Sequence, residues 1–126
     1  REAIRMEPCA ANAHYNLGNA LQANGELDAA IAAYRDAIRI RPEHAGTHYN
    51  LGIALADNGE LDAAIAAYRD AIRIRPEYAN AHLNLGVALK ANGDTVGAKS
   101  SFESYLRLDP NAPQAATIRT VIAQLT

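Results

Sequence analysis

From Tyr15 onward apolar residues recur at helical spacing, first as Tyr15, Leu17, Gly18 and Leu21, then as Leu27, Ala30, Ile31, Tyr34, Ala37, Ile38 and Ile40. The second run is the i, i+3, i+4, i+7 stripe of an amphipathic helix that buries one face. Between the runs stands Asn24-Gly25, a pair that tolerates the left-handed backbone on which helices end. Asp28 in the first turn of the second run and Arg39 and Arg41 at its end suit the helix dipole, and Pro42 prevents continuation. Residues 11–44 are therefore predicted to form two helices joined by a tight turn.

The same pattern returns after 34 residues. Ala11–His44 and Ala45–Tyr78 agree at 28 of 34 positions, and Ala79–Ala112 is a third, looser copy. Self-similarity at this period predicts an array built by stacking identical units rather than one closed core. Gly18, Ala30 and Ala37 are small where two helix backbones must approach, and Tyr34 is expected to fill the space between them. The second copy has Leu51, Gly52, Leu55, Ala64, Tyr68, Ala71 and Pro76 in these roles; the third has Leu85, Gly86, Leu89, Ala98, Phe102 and Pro110. Tyr105 replaces an expected Ala and Gly97 loosens a helix start, so the third copy is predicted to be the least regular.

The two ends differ from the units. Arg1–Pro8, REAIRMEP, aligns with Arg35–Pro42 and reads as the last two turns of a preceding second helix, so residues 1–10 are assigned to a truncated unit and the chain to a piece of a longer protein. Ile4 and Met6 would then lie on an open apolar face able to associate with a second copy. Residues 113–126 leave the pattern: Pro113 at a first helical position precedes a face of Ala115, Ile118, Ile122 and Leu125, the terminal cap such arrays require.

A net charge of −2 leaves no basic footprint for nucleic acid or an anionic membrane. No apolar run approaches the roughly 18 residues of a membrane span, so no membrane insertion is expected. One cysteine, Cys9, excludes an internal disulfide and suits a reducing, cytoplasmic setting. No cofactor is implied, and the acidic pairs Glu26/Asp28 and Glu60/Asp62 sit at loop-to-helix junctions, where capping and dipole effects account for them. His14, His48 and His82 recur every 34 residues, about 10 Å apart by helix packing, too far to share an ion whose ligands lie about 2 Å from it. No enzyme activity is expected.

With these residues in place the chain resembles the tetratricopeptide repeat over residues 11–112, whose ordered small and large positions are Leu-Gly, Tyr or Leu, Ala, Phe or Tyr, Ala and Pro. YNLG at Asn16 and Asn50 and LNLG at Asn84 are similar to bacterial arrays and to the repeats preceding the catalytic part of O-linked N-acetylglucosamine transferases. The resemblance implies an all-α, right-handed superhelical solenoid of antiparallel helix pairs. First helices would line a concave groove that holds a peptide segment or partner helix, and the histidines would be packing residues at the core edge. Two further possibilities remain: a self-assembling module, and the substrate-reading array of a larger enzyme.

The first two units differ at six pairs, Asn12/Gly46, Ala13/Thr47, Asn19/Ile53, Gln22/Ala56, Ala23/Asp57 and His44/Tyr78, and all but Ala13/Thr47 fall where the family lines its groove. Asn16, Asn50 and Asn84 form a row of amides, each donor and acceptor at once. Such a row can hold a peptide backbone whatever its sequence, or bond the neighbouring unit and fix stacking. Three units give about 25 to 30 Å of groove, room for about eight or nine extended residues. Tyr15, Tyr49, Ile53, Leu83 and Val87 are expected to offer apolar surface, Asn12, Asn19 and Asn80 polar contacts, and Asp57 and Lys90 one charge of each sign. In chaperone-docking members, cations join two amides to grip a peptide carboxylate. Asn19 and Asn50 match the amides, but Tyr15, Asn80 and Asn84 stand at the basic positions, so that mode is not expected.

Overall fold

A computed structural model describes residues 2–125, with side chains from residue 9 onward. Seven helices follow one another: α1 (Glu2–Ala23), α2 (Leu27–Ile40), α3 (Ala45–Asp57), α4 (Leu61–Ile74), α5 (Ala79–Ala91), α6 (Thr95–Leu108) and α7 (Ala115–Gln124). From α2 to α6 each helix starts and stops 34 residues after its counterpart. Consecutive helices pack as pairs, α1 on α2, α3 on α4 and α5 on α6, and α2 and α4 each pack on the first helix of the next pair. The result is an all-α solenoid.

Local chemistry sets the turns. Gly25, Gly59 and Gly93 take φ of +80°, +80° and +85°, a left-handed backbone that glycine reaches without a Cβ penalty. Around the first, the amide of Glu26 donates to the Leu21 carbonyl at 2.9 Å and that of Gly25 to the Gln22 carbonyl at 3.0 Å, the paired bonds of a Schellman end. The same asparagines staple neighbouring units, since Asn58 Nδ2 donates to Asp28 Oδ1 at 3.1 Å and Asn92 Nδ2 to Asp62 Oδ1 at 3.2 Å.

Inside each pair the second-helix aromatic lies against the first-helix glycine. A Cβ on Gly18, Gly52 or Gly86 would fall 2.6, 2.5 or 2.6 Å from a ring carbon of Tyr34, Tyr68 or Phe102. Those rings, with Ala30, Ala64 and Ala98, are buried in one continuous core. Along α7, Ala115 and Ile118 are buried, and Ile122 and Leu125, on the same face or just past its end, pack against the core.

Three expectations need correction. The chain does not end a helix at Pro8, because α1 runs unbroken from Glu2 through it. Proline removes one backbone donor and crowds the carbonyl four residues back, yet whether the chain turns there depends on the residues on its C-terminal side. In the next junction His44 packs at the turn, its Nδ1 2.6 Å from Thr47 Oγ1 and its ring edge-on to Tyr15 at 5.2 Å; Ala10 at the matching place has no such group and, unlike Ala112 after Pro110, is not followed by a second proline. The side chains of Ile4 and Met6, the expected self-association face, lie outside the described residues. Second, Leu17 is 50% exposed, whereas Leu51 and Leu85 are each 7% exposed, because α2 and α4 precede those two and no described helix precedes α1. Third, α6 is as long as α2 and α4, each running for 14 residues. Gly97 does not loosen it, since its amide donates to Asp94 Oδ1 at 2.9 Å and closes an N-cap.

Candidate functional site

The first helices α1, α3 and α5 touch one another in order, whereas among the described residues α2, α4 and α6 do not. A stack closer on one side curves toward it, so the first helices form the inner face. Asn12, Tyr15, Asn16 and Asn19 lie at i, i+3, i+4 and i+7 along α1, and so share one side of the helix. Tyr49, Asn50, Ile53 and Asp57 continue the row on α3, and Asn80, Leu83, Asn84, Val87 and Lys90 on α5.

A hydrogen-bonded ladder ties this face together. Tyr34 Oη is 2.7 Å from Asn19 Oδ1 and 2.6 Å from Gln22 Oε1, so its one proton is shared between two acceptors. Asn50 Nδ2 donates to Tyr15 Oη at 3.1 Å and to Asn19 Oδ1 at 3.0 Å, and Asn84 Nδ2 donates to Tyr49 Oη at 3.2 Å. Burial, then the neighbouring Tyr15, pushes the Tyr34 hydroxyl up to about 12. It therefore stays protonated and donating at any physiological pH.

The asparagine row is consequently not uniform. Asn50 and Asn84 are half-buried and spend amide protons on the tyrosine one unit back, while their carbonyl oxygens accept no bond among the described residues. Asn16 is exposed and has no tyrosine behind it. The stacking role is thus present at two of the three positions, and each of those two keeps an acceptor open.

Aromatic contacts line the junctions beside the ladder. The Tyr49 and Tyr78 rings lie 4.9 Å apart, and the Arg75 guanidinium sits 4.8 Å over Tyr78. His44 holds the place of Tyr78 one unit earlier; burial, then the cationic Arg41, then His48, lowers its pKa. Of the remaining candidates, Asn12 accepts a 3.4 Å bond from Arg41, Leu83 is half-buried, Val87 is 54% exposed, and Asn16, Asp57, Asn80 and Lys90 are exposed. Asp57 and Lys90 form no ion pair with each other or with any described residue.

Two of the periodic histidines bond the junction before them, while His14, inside the unbroken α1, has its Nδ1 4.0 Å from Asp36. His48 Nε2 lies 2.8 Å from the Pro42 carbonyl and His82 Nε2 2.9 Å from that of Pro76, with His48 Nδ1 3.9 Å from Asp70. Among the described residues no group of three His, Cys, Asp or Glu could hold a metal ion, and no helix is long and apolar enough to cross a membrane.

Reading the sequence alone placed the Gln22/Ala56 pair at the groove without giving either residue a contact, and left Tyr68 as a packing residue. Gln22 completes the cradle of Tyr34, while Ala56 and Tyr68 line a pocket between α3 and α5. The signal was present in the Gln22/Ala56 difference, but its meaning needed the partner on the second helix, 12 residues away.

An all-α solenoid with a polar, aromatic inner face is the class of protein these features define. A family model described as TPR repeat matches residues 23–59 and 54–93, and two described as tetratricopeptide repeat match residues 1–32 and 80–112. The chain belongs to the tetratricopeptide repeat family. A search of the curated proteins found no match. Among solved structures, the Arabidopsis OM64 TPR domain superposes with a TM-score of 0.89 at 20% identity, covering 95% of this chain and 99% of that one. The first TPR of Spaghetti (RPAP3), bound to an HSP90 peptide SRMEEVD, gives 0.86 at 24% identity and covers 91% of each chain. MamA gives 0.78 at 34% identity, covering 80% of this chain and 59% of its own.

Proposed function

We propose that this chain is a protein-interaction module that holds an extended segment of a partner along the inner face of α1, α3 and α5. Residues 11–44, 45–78 and 79–112 act as its units and 113–126 as its cap. The observation that carries the reading is the pair of open Asn50 and Asn84 carbonyl oxygens, each fixed in direction because its own amide is tied to the tyrosine behind it. Preset acceptors lose little freedom on binding a backbone amide. Their spacing suits a peptide: helices packed at about 8 to 10 Å step the acceptors by about three residues of a polyproline-like chain, which rises about 9.3 Å over three.

Three further points support it. The first two units are identical along their second helices, and five of their six differences fall on or beside the inner face. The RPAP3 domain, alike in fold, was solved with a peptide bound. The acids that could suggest catalysis have structural partners, Glu26 with Asn24, and Glu60 and Asp28 with Asn58, so the module is read as non-enzymatic.

Fluorescein-labelled nine-residue peptides of mixed sequence, read by anisotropy, test this. Binding by the wild-type chain and its loss in Val87→Arg, which places a bulky cation at an exposed groove position without touching the core, is the expected result. No binding, or binding that Val87→Arg leaves unchanged, overturns the reading. Light scattering on the same samples separates self-association: a mass above the 13.5 kDa of one chain that dissociates in Val87→Arg would make the groove a contact between copies instead.

A further inference from the structure

Tyr34 and Tyr68 occupy matching places in units that are nearly identical, yet their hydroxyls keep different company. Tyr34 is cradled by Asn19 and Gln22; one unit on, Ile53 and Ala56 stand there and offer no acceptor, and the third unit has Phe102, which carries no hydroxyl. The exchange opens a pocket of about 230 Å³ between α3 and α5. Tyr68, 2% exposed, forms its floor, Ile53, Ala56 and Val87 its walls, and Asp57 and Asn84 its rim. The volume falls below the roughly 300 to 1,000 Å³ of small-molecule sites and suits one side chain.

Asp57 is the feature that sets this pocket's chemistry. Ala23 and Ala91 fill its place in the other units. As the last residue of α3 it puts a carboxylate at the negative end of a helix dipole, where charge of that sign is disfavoured. No ion pair or hydrogen bond within the described residues offsets this. Lys90, the other charge on the inner face, is exposed and does not line the pocket.

Resting on the peptide-groove reading above, we propose that this pocket is the subsite for a lysine or arginine side chain of the bound segment. The aliphatic stem lies between Ile53 and Val87, as long cationic side chains do along apolar surface. The cationic head meets the Asp57 carboxylate, with the Asn84 carbonyl and the Tyr68 oxygen as further acceptors. Burial first, then Tyr49 and Asp57 against the opposing Asn84 bond, raises the Tyr68 pKa and keeps the hydroxyl neutral. An aliphatic ligand side chain would cover Asp57 without pairing it, and an acidic one would add repulsion, so both are selected against.

The test is a positional-scanning library of nine-residue peptides, acetylated and amidated at their ends, in pools with one position fixed as Lys, Arg, Leu or Glu. The wild-type chain should bind Lys- and Arg-fixed pools about tenfold more tightly than Leu-fixed ones, the scale of one charge-assisted bond. Asp57→Asn should bring binding of the Lys- and Arg-fixed pools down to the level of the Leu-fixed ones, with a melting temperature at or slightly above that of wild type because the unfavourable charge at the end of α3 is gone, and Asp57→Lys should turn the preference toward Glu. Binding without cationic preference, or a preference unchanged in Asp57→Asn, overturns this subsite and leaves the groove standing. Binding of no pool overturns both.

Discussion

Adding a single methyl group at Gly52 tests the packing on which the inner face rests. A Cβ there would lie 2.5 Å from Tyr68 Cε1, 2.6 Å from Cδ1 and 3.0 Å from Cζ, against the 3.5 to 4.0 Å at which carbons rest. The ring would have to retreat by about 1 Å. Tyr68 is 2% exposed and set in a core that includes Ala64, Ala67 and Leu51, so its ring cannot retreat without repacking those neighbours, and an overpacking cost toward the upper end of 1 to 3 kcal/mol is expected. Alanine returns about 1 kcal/mol through helix propensity, leaving a net loss of about 2 kcal/mol, or about 8 °C in Tm for a chain of this length. Thermal and urea melts of Gly52→Ala, Tyr68→Leu and the double variant form the assay. Tyr68→Leu alone leaves a cavity, but combined with Gly52→Ala it makes room for the methyl, so the pair should be about 2 kcal/mol more stable than the sum of the singles. A Gly52→Ala chain as stable as wild type, or strict additivity, would refute the claim that ring and helix backbone compete for that space.

The same structure separates roles elsewhere. Asn50→Ala should lower stability by about 1 kcal/mol, because Tyr15 and Asn19 lose their amide donor, whereas Asn16→Ala, with no such bonds, should melt like wild type; equal losses would sink the distinction. Asn58→Ala removes bonds to Asp28 and Glu60 and should cost about 0.5 to 1 kcal/mol, while Asn24→Ala removes only the bond to Glu26 and should cost less in the same denaturant titration. His44 has a pKa lowered in the fold, so the folded state binds fewer protons than the unfolded one. The stability this confers is present above the unfolded value of about 6.5 and is lost as pH falls through the folded one. His44→Tyr, which installs the residue found at Tyr78, should flatten the fall in Tm from about pH 7 to pH 5; an unchanged slope would assign it to other groups.

How much of this was legible in the sequence depended on how far each signal reaches. The second helices were read to their ends because every cue is local: Asp28, Arg39 and Pro42 lie within or directly beside the segment they punctuate, and α2 runs over Leu27–Ile40 as its stripe predicts. The glycine–ring contact was also readable, since Gly18 and Tyr34 recur together at one spacing. The break expected at Pro8 failed because a proline signals a stop only when the residues after it hold a turn. His44 does this through Thr47 and Tyr15, Pro113 follows Ala112 at the last junction, and Ala10, followed by Ala11, has neither aid. Leu17 stands at the same place in the pattern as Leu51 and Leu85, and the pattern registers identity, not whether a helix precedes it. Stacking was one of the two roles read for the asparagines, but their tyrosine partners were out of reach for a related reason: a donor 35 residues from its acceptor leaves no mark in either helix taken alone.

Near-identity between units is what makes the inner face interpretable. Tyr34 and Tyr68 share sequence neighbours on α2 and α4, backbone course and glycine partner, so the difference between a hydrogen-bonded cradle and an open pocket traces to Asn19/Ile53, Gln22/Ala56 and Ala23/Asp57, with Val87 in the place of Ile53 on the following first helix. None of the three alters the identical outer helices that set the stacking, so each unit's inner face can change while its frame stays fixed. An acid at the end of α3 opposes the helix dipole there, and its place is taken by alanine in both other units. On the reading proposed above, the groove side supplies the reason for tolerating it, since it gives the middle unit a negative charge that its neighbours lack. The proposed row of subsites would then be separately adjustable, with the carboxylate in the middle one.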